Sequence, residues 1–547
     1  MTSDNLLNKG KEKTMKKLLS LLLCLVMIFS LSACGGGGEG EGGGDAAAAD
    51  KIVKIGRNMA NTQTLDVWYT SLNPVFQISD AVFDRLIDKN PETMDLELNL
   101  LADWPEISED RTVYTFKLKE GVKFHDGSDL TSEDVEFTFN YFYDKDTASN
   151  NTWVCEVIKG CQEMMAGEAD TLEGFKVIDD YTFSIELLYP YGAFESVLAT
   201  SMLPILPSDA RVEAGDAWGM DVLIGSGPYK LVSFEPAESV ELATNTEYHG
   251  NVPNVDGIKM MNMDTATAIM EWEAGTIDFC DVSNSQVEDV ESKYPENLQS
   301  QVMMGSVRLQ LNQTMPPLDD VNVRKAIAMS IDSSALIDGY LGGRANKLYG
   351  CIPEGIPGWV DDAEGAVAYD PAAAKQLLAD SGYPDGVEFE AVVRESSDSF
   401  KFELQIMQDQ LKEAGITMNI TQVDSATYSE MRNNNKIQCN EGDWYADFVD
   451  ADMYLYTLFH SSYSDGYSCG NHDDWFDEQV ELARTLSVEE KGVLYEKLDK
   501  YLANEVFAFV PLYQEKQYCL CSDRLEGVFL KKDCLYTFKN ASITNAE

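Results

Sequence analysis

Strand-like and helix-like segments follow one another closely between residues 385 and 425. Alternating apolar side chains predict a strand over Val387–Val393 and another over Met418–Val423. Between them, apolar residues at helical spacing predict a helix over Phe400–Ala414. Such alternation of the two kinds of segment is typical of α/β proteins. We therefore predict a mixed α/β fold.

The same two kinds of segment recur along the rest of the chain, with no repeat of fixed period. Strands are predicted at 51–57, 112–118, 121–127 (with a turn), 182–187, 229–234 and 509–521, and helices at 79–86, 131–141, 265–274, 322–331, 371–381, 474–486 and 488–502. The 547 residues exceed what one core can hold and favour three or four domain-sized units. Because no proline-rich linker follows residue 50, we expect short strand crossings to join the domains.

The first 33 residues have the character of an export signal. Five lysines between residues 9 and 17 precede an apolar run from Leu18 to Leu31, which is shorter than a comfortable membrane span. Either Met1 or Met15 can serve as the start. The following Leu-Ser-Ala-Cys-Gly sequence, with its cysteine at Cys34, resembles a bacterial lipobox. We predict that residues 1–33 are removed and that Cys34 then carries a lipid.

Residues 34–50 form the predicted anchor and tether. Glycine and alanine dominate this stretch, which is too poor in apolar surface to form a core and is typical of a flexible linker. A tether behind a lipid anchor places the folded part outside the cytoplasm. We expect the protein on the outer face of the bacterial cell membrane.

Composition excludes several classes of function. The formal net charge of −52 argues against nucleic acid as a partner, because phosphate binding needs a basic surface. The chain holds only four histidines. It has no Gly-x-Ser-x-Gly pattern, which is typical of a secreted hydrolase, and no His-Glu-x-x-His pattern, which is typical of a zinc enzyme. We therefore predict no catalytic residues, no metal site and no cofactor.

The cysteines do not form a disulfide framework in this reading. Outside the signal segment there are nine of them, an odd number spread thinly over the chain. Buried free thiols are the favoured interpretation. Pairing of Cys155 with Cys161, or of Cys519 with Cys521, remains open.

Five motifs occur in order along the chain. They are GVKFHDG at 121–127, IGSGPY at 224–229, EAGTID at 273–278, LQLNQTMPPLDDVNVRKAIAMSID at 309–332 and WYADFVD at 444–450. Together they resemble the solute-binding proteins of peptide-, dipeptide- and nickel-type ABC importers. The resemblance covers roughly residues 51–530, and Ser226 departs mildly from it because the family usually has threonine there.

The resemblance implies a type II periplasmic-binding-protein-like fold, with two lobes, a hinge and an additional inserted domain. Lobe I would comprise 51–78, 223–304 and 518–547, the inserted domain 79–222, and lobe III 305–517. It also implies a monomeric, non-enzymatic protein that captures small peptides between its lobes. The partner implied for delivery is the ABC permease in the membrane.

The family resemblance also points to candidate ligand-binding residues. Asp447 matches the acid that meets the α-ammonium group of peptide ligands in this family, and Trp444 and Tyr445 beside it would form apolar walls. Arg394 follows a predicted strand and resembles an arginine that meets the ligand carboxylate, which its planar fork suits. Two further aromatic residues are weaker candidates for the cleft wall and fit the core equally well, namely Tyr513 and Trp68.

Three other functions remain open at this stage. A binder of nickel chelates or another small solute would share the fold, although the small number of histidines argues weakly against nickel. A secreted hydrolase is the rival from another class, and a lipoprotein that acts as a receptor or adhesin is the third alternative. Stabilisation by peptides without their hydrolysis separates these possibilities.

Overall fold

The computed structural model describes residues 51–361 and 365–544, and strands and helices alternate along them. The predicted signal peptide, the lipid-anchor residue Cys34 and the tether lie outside the described residues. Within the described part, no helix has both the length and the apolar character that a membrane crossing needs.

The strands range from two to thirteen residues in length. In chain order they are β1 Ile52–Arg57, β2 Ile87–Lys89, β3 Leu96–Leu98, β4 Glu106–Ile107, β5 Val113–Lys117, β6 Phe175–Asp179, β7 Thr182–Glu186, β8 Tyr229–Glu235, β9 Ser239–Thr244, β10 Gly257–Asn262, β11 Phe279–Val282, β12 Leu298–Val302, β13 Gly305–Leu311, β14 Ala345–Lys347, β15 Val387–Arg394, β16 Ile416–Val423, β17 Cys439–Tyr445, β18 Phe509–Cys521, β19 Leu525–Glu526, β20 Phe529–Leu530, β21 Tyr536–Thr537 and β22 Ser542–Ile543.

The α-helices lie mostly between these strands. They are α1 Asn73–Val82, α2 Ser132–Tyr143, α3 Cys161–Ala166, α4 Phe194–Val197, α5 Ser208–Ala214, α6 Thr265–Glu273, α7 Val287–Lys293, α8 Val321–Met329, α9 Ser333–Gly339, α10 Pro371–Asp380, α11 Asp398–Leu411, α12 Ser425–Asn433, α13 Asp452–Phe459, α14 Ser461–Ser464, α15 Asp474–Thr485 and α16 Val488–Tyr501.

Strand β18 joins the two parts of the largest sheet. Residues 509–513 pair with β13, beyond which the order continues as β17, β15 and β16. Residues 516–521 pair with β12 and β11, beyond which lie β1, β10, β9 and β8. Since β12 and β13 are consecutive, the chain passes between the two parts at residues 303–304 and again within β18. The second passage is extended backbone within β18, whereas residues 303–304 form a short break between β12 and β13.

A second, antiparallel sheet is built from a separate stretch of the chain. Its order is β4-β5-β7-β6, and its core is aromatic. Phe183 stacks between Phe116 and Phe175, with ring centroids 5.1 and 5.3 Å away. Helix α2 closes this unit and begins where predicted, because the backbone N–H of Thr131 donates to the Asp134 carboxylate at 3.0 Å.

The alternation between residues 385 and 425 is confirmed as a βαβ unit. β15 and β16 pair in parallel from Val387–Ile416 to Arg394–Val423, and α11 connects them. Leu404 and Met407 of α11 are fully buried against this part of the sheet. The mixed α/β prediction is therefore correct.

Two predicted elements differ from the structure. The helix expected at 79–86 is instead α1, which starts at Asn73 and ends at Val82. Pro74 in its first turn suits a helix start, and the extended backbone of Phe83 ends it. The strand expected within 121–127 is a turn, because Gly121 and Gly127 adopt φ values of 79° and 91°.

His125 joins two of the sequence motifs. Its Nε2 lies 2.9 Å from the carbonyl oxygen of Gly227, and its Nδ1 accepts the backbone N–H of Gly225 at 3.2 Å. This pattern requires a neutral ring that donates from Nε2. Burial lowers the pKa of His125 to about 4, which keeps the ring neutral. The histidine therefore has a structural role, linking residues 121–127 to residues 224–229.

Replacing this histidine should change how stability depends on pH. Folding lowers the pKa of His125, so the unfolded chain binds the proton of this histidine more tightly than the folded chain does. The wild type should therefore lose about 2–3 kcal/mol of unfolding free energy between pH 7.5 and 4, mainly as pH falls from about 6.5 to 4. His125→Gln should not show this loss. Urea unfolding of both proteins across this range measures it. Parallel pH profiles would contradict the assignment.

The nine cysteines of the described residues are free and buried. Cys155 and Cys161 do not pair, and neither do Cys519 and Cys521. The preference for buried thiols is confirmed. Burial raises the pKa of Cys155 to about 12, so its thiol stays protonated.

Candidate ligand-binding site

An open cleft of about 1840 Å³ lies where the carboxyl ends of β15 and β17 meet residues from the N-terminal half of the chain. One wall comes from residues 394–467 and the other from residues 69–76, 150–153 and 202. The side chains on the walls are Tyr69, Thr70, Ser71, Leu72, Asn73, Phe76, Asn150, Asn151, Trp153, Met202, Arg394, Arg432, Asp443, Trp444, Tyr445, Asp447 and Tyr467.

The sheet itself brings the charged residues of one wall together. β15 and β17 pair in parallel, with Ala391 opposite Cys439, so their carboxyl ends reach the same edge. Arg394 is the last residue of β15, and Asp443 lies near the end of β17, just before Asp447. Ligands of open α/β sheets characteristically bind at this edge. Arg394, which can bind an anion, and Asp443 and Asp447, which can bind a cation, therefore line the same cleft.

Asp447 is an acid without a partner. Among the described residues its carboxylate makes no hydrogen bond and no ion pair, although it is only partly exposed. Burial raises its pKa to about 7; Lys89 opposes this shift and Asp533 adds to it. A cation placed beside the carboxylate would offset the cost of its desolvation. The site is thus prepared for a positively charged group.

The two aromatic residues before Asp447 are held firmly. The Trp444 ring meets the Tyr467 ring edge-on with centroids 5.2 Å apart, and its buried Nε1 has no hydrogen-bond partner among the described residues. The Tyr445 hydroxyl donates to Glu515 of β18. Gly305 lies opposite Tyr445 in the sheet, where a Cβ would come within 2.3 Å of the ring. Only glycine at 305 leaves room for this ring.

The two arginines of the cleft are positioned by aromatic rings. The guanidinium carbon of Arg394 lies 4.1 Å from the Tyr428 ring centroid, and that of Arg432 lies 5.3 Å from the Tyr467 centroid. Within the described ranges neither arginine forms an ion pair. Stacking leaves the edge N–H donors of Arg394 available for a carboxylate, whereas Nε and Nη2 of Arg432 already donate to Asn433 Oδ1 at 3.2 and 3.1 Å.

The structure brings four of the six predicted residues to the cleft, namely Asp447, Trp444, Tyr445 and Arg394. It places Trp68 and Tyr513 in the core, with 1 % of each side chain exposed. Trp68 Nε1 donates to the carbonyl of Met202 at 2.9 Å, and the Tyr513 hydroxyl donates to Glu403 at 2.8 Å. Both aromatic rings turn inward because a buried acceptor satisfies their polar atom.

Several wall residues were not predicted from the sequence. Tyr69 reaches the cleft although its neighbour Trp68 does not, because successive side chains of the short 3₁₀ turn Val67–Tyr69 point in different directions. Arg432 and Tyr467 come from separate segments that only tertiary packing unites. Asp443 could have been found, since it lies one residue before Trp444 on the same strand end.

No cluster of three or more His, Cys, Asp or Glu side chains that could hold a metal ion occurs in the described part of the chain. The charged groups of the cleft are instead two carboxylates and two guanidinium groups. This set suits an organic ion with both charges.

A two-part sheet with two chain crossings between its parts and a charged cleft at the strand ends is the arrangement of the type II periplasmic-binding-protein fold. Solved structures agree: the "ABC transporter-associated periplasmic binding protein DppA from Helicobacter pylori in complex with peptide STSA" is similar, with a TM-score of 0.75, 22 % identity and coverage of 90 % of this chain and 98 % of that chain. The model of the bacterial extracellular solute-binding proteins, family 5 Middle, matches residues 95–466. The chain belongs to this family.

Two curated relatives cover most of the chain. The Heme-binding protein A of Haemophilus influenzae is 25 % identical over 474 residues, which is 82 % of this chain and 84 % of the relative. The Glutathione-binding protein GsiB of Shigella dysenteriae is 25 % identical over 515 residues, which is 91 % of this chain and 95 % of the relative. The names of proteins similar to this chain thus refer to different solutes.

Proposed function

We propose that this chain is the substrate-binding component of an ABC importer and that it captures di- or oligopeptides in the cleft. The unpartnered Asp447 carboxylate carries the proposal, because a peptide α-ammonium group would supply its missing counter-charge. Arg394 or Arg432 would receive the ligand carboxylate. The names of similar proteins, which mention glutathione and the peptide STSA, support this ligand class.

Closure of two lobes would complete the site. The lobes would be 51–78, 223–304 and 518–547 on one side and 305–517 on the other, with the inserted domain at 79–222. The two short crossings, at 303–304 and within β18, support a hinge there, because few residues need to change conformation. Periplasmic binding proteins are a standard example of such closure. The bound peptide would then pass to the permease.

The export sequence supports the location. Cleavage before Cys34 and lipidation of that residue would anchor the protein, as a monomer, to the outer face of the bacterial cell membrane, and the tether at 34–50 would let it reach the permease. Mass spectrometry of the protein from a bacterial membrane fraction tests this: a diacylated peptide starting at Cys34 is expected, and an unmodified Cys34 would contradict it.

Peptide capture is tested by titration calorimetry of the full chain with trialanine, N-acetyl-trialanine and trialanine amide at pH 7.5. We expect trialanine to bind and acetylation to weaken binding at least about 30-fold, because it removes the charge that Asp447 requires. Amidation should also weaken binding, since the arginines lose their carboxylate.

Three results would contradict this function. Equal affinity for the free and the acetylated peptide would exclude a role of Asp447 in ammonium binding. Binding of a nickel chelate or haem in place of all peptides would assign another solute. Release of free alanine during the titration would indicate a hydrolase.

A further inference from the structure

A second cavity of about 760 Å³ adjoins the cleft. One side comes from residues 153–162 and 189–191, and the other from residues 448–484. Trp153 and Tyr467 line both spaces, so the second cavity, the side chamber, lies directly beside the cleft.

The one arginine on the side chamber wall is already neutralised. Arg484 Nε lies 3.0 Å from Oδ1 of Asp452, and the Tyr191 hydroxyl donates to the same carboxylate at 2.8 Å. The guanidinium carbon of Arg484 lies 3.7 Å from the Tyr456 ring centroid and 4.9 Å from that of Tyr191. A ligand carboxylate would have to displace Asp452, so the chamber does not favour an anion.

The chamber instead offers aromatic surface near its mouth. Trp153 and Tyr463 are 39 % and 42 % exposed, which is high for large aromatic side chains that line a cavity. Tyr463 packs against Tyr456 with ring centroids 5.5 Å apart, and Phe448 also lines the chamber. Flat rings with a free face are suited to stack on another ring.

We propose that the side chamber binds an uncharged aromatic side chain of a peptide whose main chain lies in the cleft. Trp153 and Tyr467 line both spaces, so a side chain that reaches the chamber from the cleft would pass beside these two rings. This inference rests on the proposed function and adds a side-chain preference to it. The cleft selects by charge at the peptide ends, and the chamber selects by shape and apolar surface.

The test is calorimetry of the full chain with trialanine, Phe-Ala-Ala, Ala-Phe-Ala and Ala-Ala-Phe. At least one phenylalanine peptide should bind about tenfold more tightly than trialanine, because burial of the ring removes apolar surface from water. Thr457→Trp, which fills the chamber from α13, should reduce this preference to about twofold and leave trialanine binding unchanged.

A second pair of variants guards against a general effect on folding. Tyr463→Ala removes part of the chamber wall and should reduce the preference to about threefold. Tyr340→Ala is the matched control, since Tyr340 is 37 % exposed, stacks on Phe402 at 5.0 Å and lies outside both cavities. It should keep the full preference.

The outcomes distinguish a failure of the side chamber inference from a failure of the proposed function. If trialanine binds and no phenylalanine peptide binds more tightly, the side chamber inference is wrong while peptide capture stands. A preference that survives Thr457→Trp also overturns the inference. If none of the four peptides binds the wild-type protein, the proposed function fails and the inference fails with it.

Discussion

Asp447→Asn is expected to weaken trialanine binding about 100-fold, with the fold unchanged. Asparagine has nearly the same shape but cannot balance an ammonium charge in a partly buried site. Loss of one partner of a buried charge pair costs about 2–5 kcal/mol, which corresponds to this change in Kd. Titration calorimetry at pH 7.5 measures it.

The same substitution should remove a pH dependence. Because the pKa of Asp447 is about 7 in the empty cleft, the carboxylate must lose a proton to meet an ammonium group at lower pH. Wild-type affinity should therefore rise as pH increases from 5.5 to 7, with release of a proton from the protein. Calorimetry at pH 6 in buffers of different ionisation enthalpy detects that proton, and the asparagine variant should release none.

The empty asparagine variant should also be more stable than the wild type. A raised carboxyl pKa means that the native state binds the proton more tightly, so stability decreases as pH rises through about 7. At pH 8 the variant should gain about 2–4 kcal/mol in the free energy of unfolding. Stability and binding thus oppose each other at this residue.

Asp443→Asn is the matched control. Asp443 lines the same cleft but is exposed, so water screens its charge, and we expect less than a fivefold change in Kd. If both variants lost binding equally, or if only Asp443→Asn did, Asp447 would not be the partner of the ligand ammonium group.

Arg85→Leu is expected to destabilise the protein by about 3–5 kcal/mol. The Arg85 side chain is 1 % exposed and donates to Asp80 at 2.6 Å and to Asp88 at 2.8 Å. Burial alone would raise the pKa of Asp80, but Arg85 and Lys531 hold it far below its usual range. Without the guanidinium group, two buried carboxylates lose their strongest partner.

This ion-pair cluster connects distant parts of the chain. Lys531 reaches Asp80 at 2.9 Å, and Lys89 reaches Asp533 at 2.8 Å. The segment around 80–89 is thereby held to the C-terminal residues 531–539. We expect the variant to unfold at lower urea concentration and its C-terminal segment to be cleaved sooner by trypsin.

Lys293→Ala provides the comparison for Arg85. Lys293 forms an ion pair with Asp289 at 2.7 Å, but both side chains are at least half exposed. Its removal should leave the urea midpoint unchanged within error, because solvent screens exposed pairs. Similar shifts in both variants would mean that burial does not decide the contribution of these ion pairs.

Local sequence was sufficient for most of the secondary structure. The βαβ unit at 385–425, the capped start of α2 and the helices near the C-terminus depend on periodicity and end-capping residues, which act within a few positions. The errors arose where a proline or two glycines bent the backbone, at α1 and at residues 121–127. At those positions the backbone conformation of proline and glycine determines the secondary structure more than the pattern of apolar residues does.

The site was predictable only in part. The family resemblance pointed to Arg394, Trp444, Tyr445 and Asp447; the structure places all four on the cleft wall, and their role in ligand binding stays a prediction. Which aromatic residues face the cleft is decided by packing: Tyr69 lines the wall, while Trp68 donates inward to Met202. Composition and spacing cannot show that the side chains of two neighbouring residues point in different directions.

Periodicity, motifs and the signal-like N-terminal segment are properties of neighbouring residues, and they were enough to predict an α/β fold, an export signal and an acid near a strand end. The raised pKa of Asp447, the pairing of Arg432 with Tyr467 and the side chamber depend on groups far apart in the chain. Their properties come from burial and proximity, and these exist only once the chain has folded.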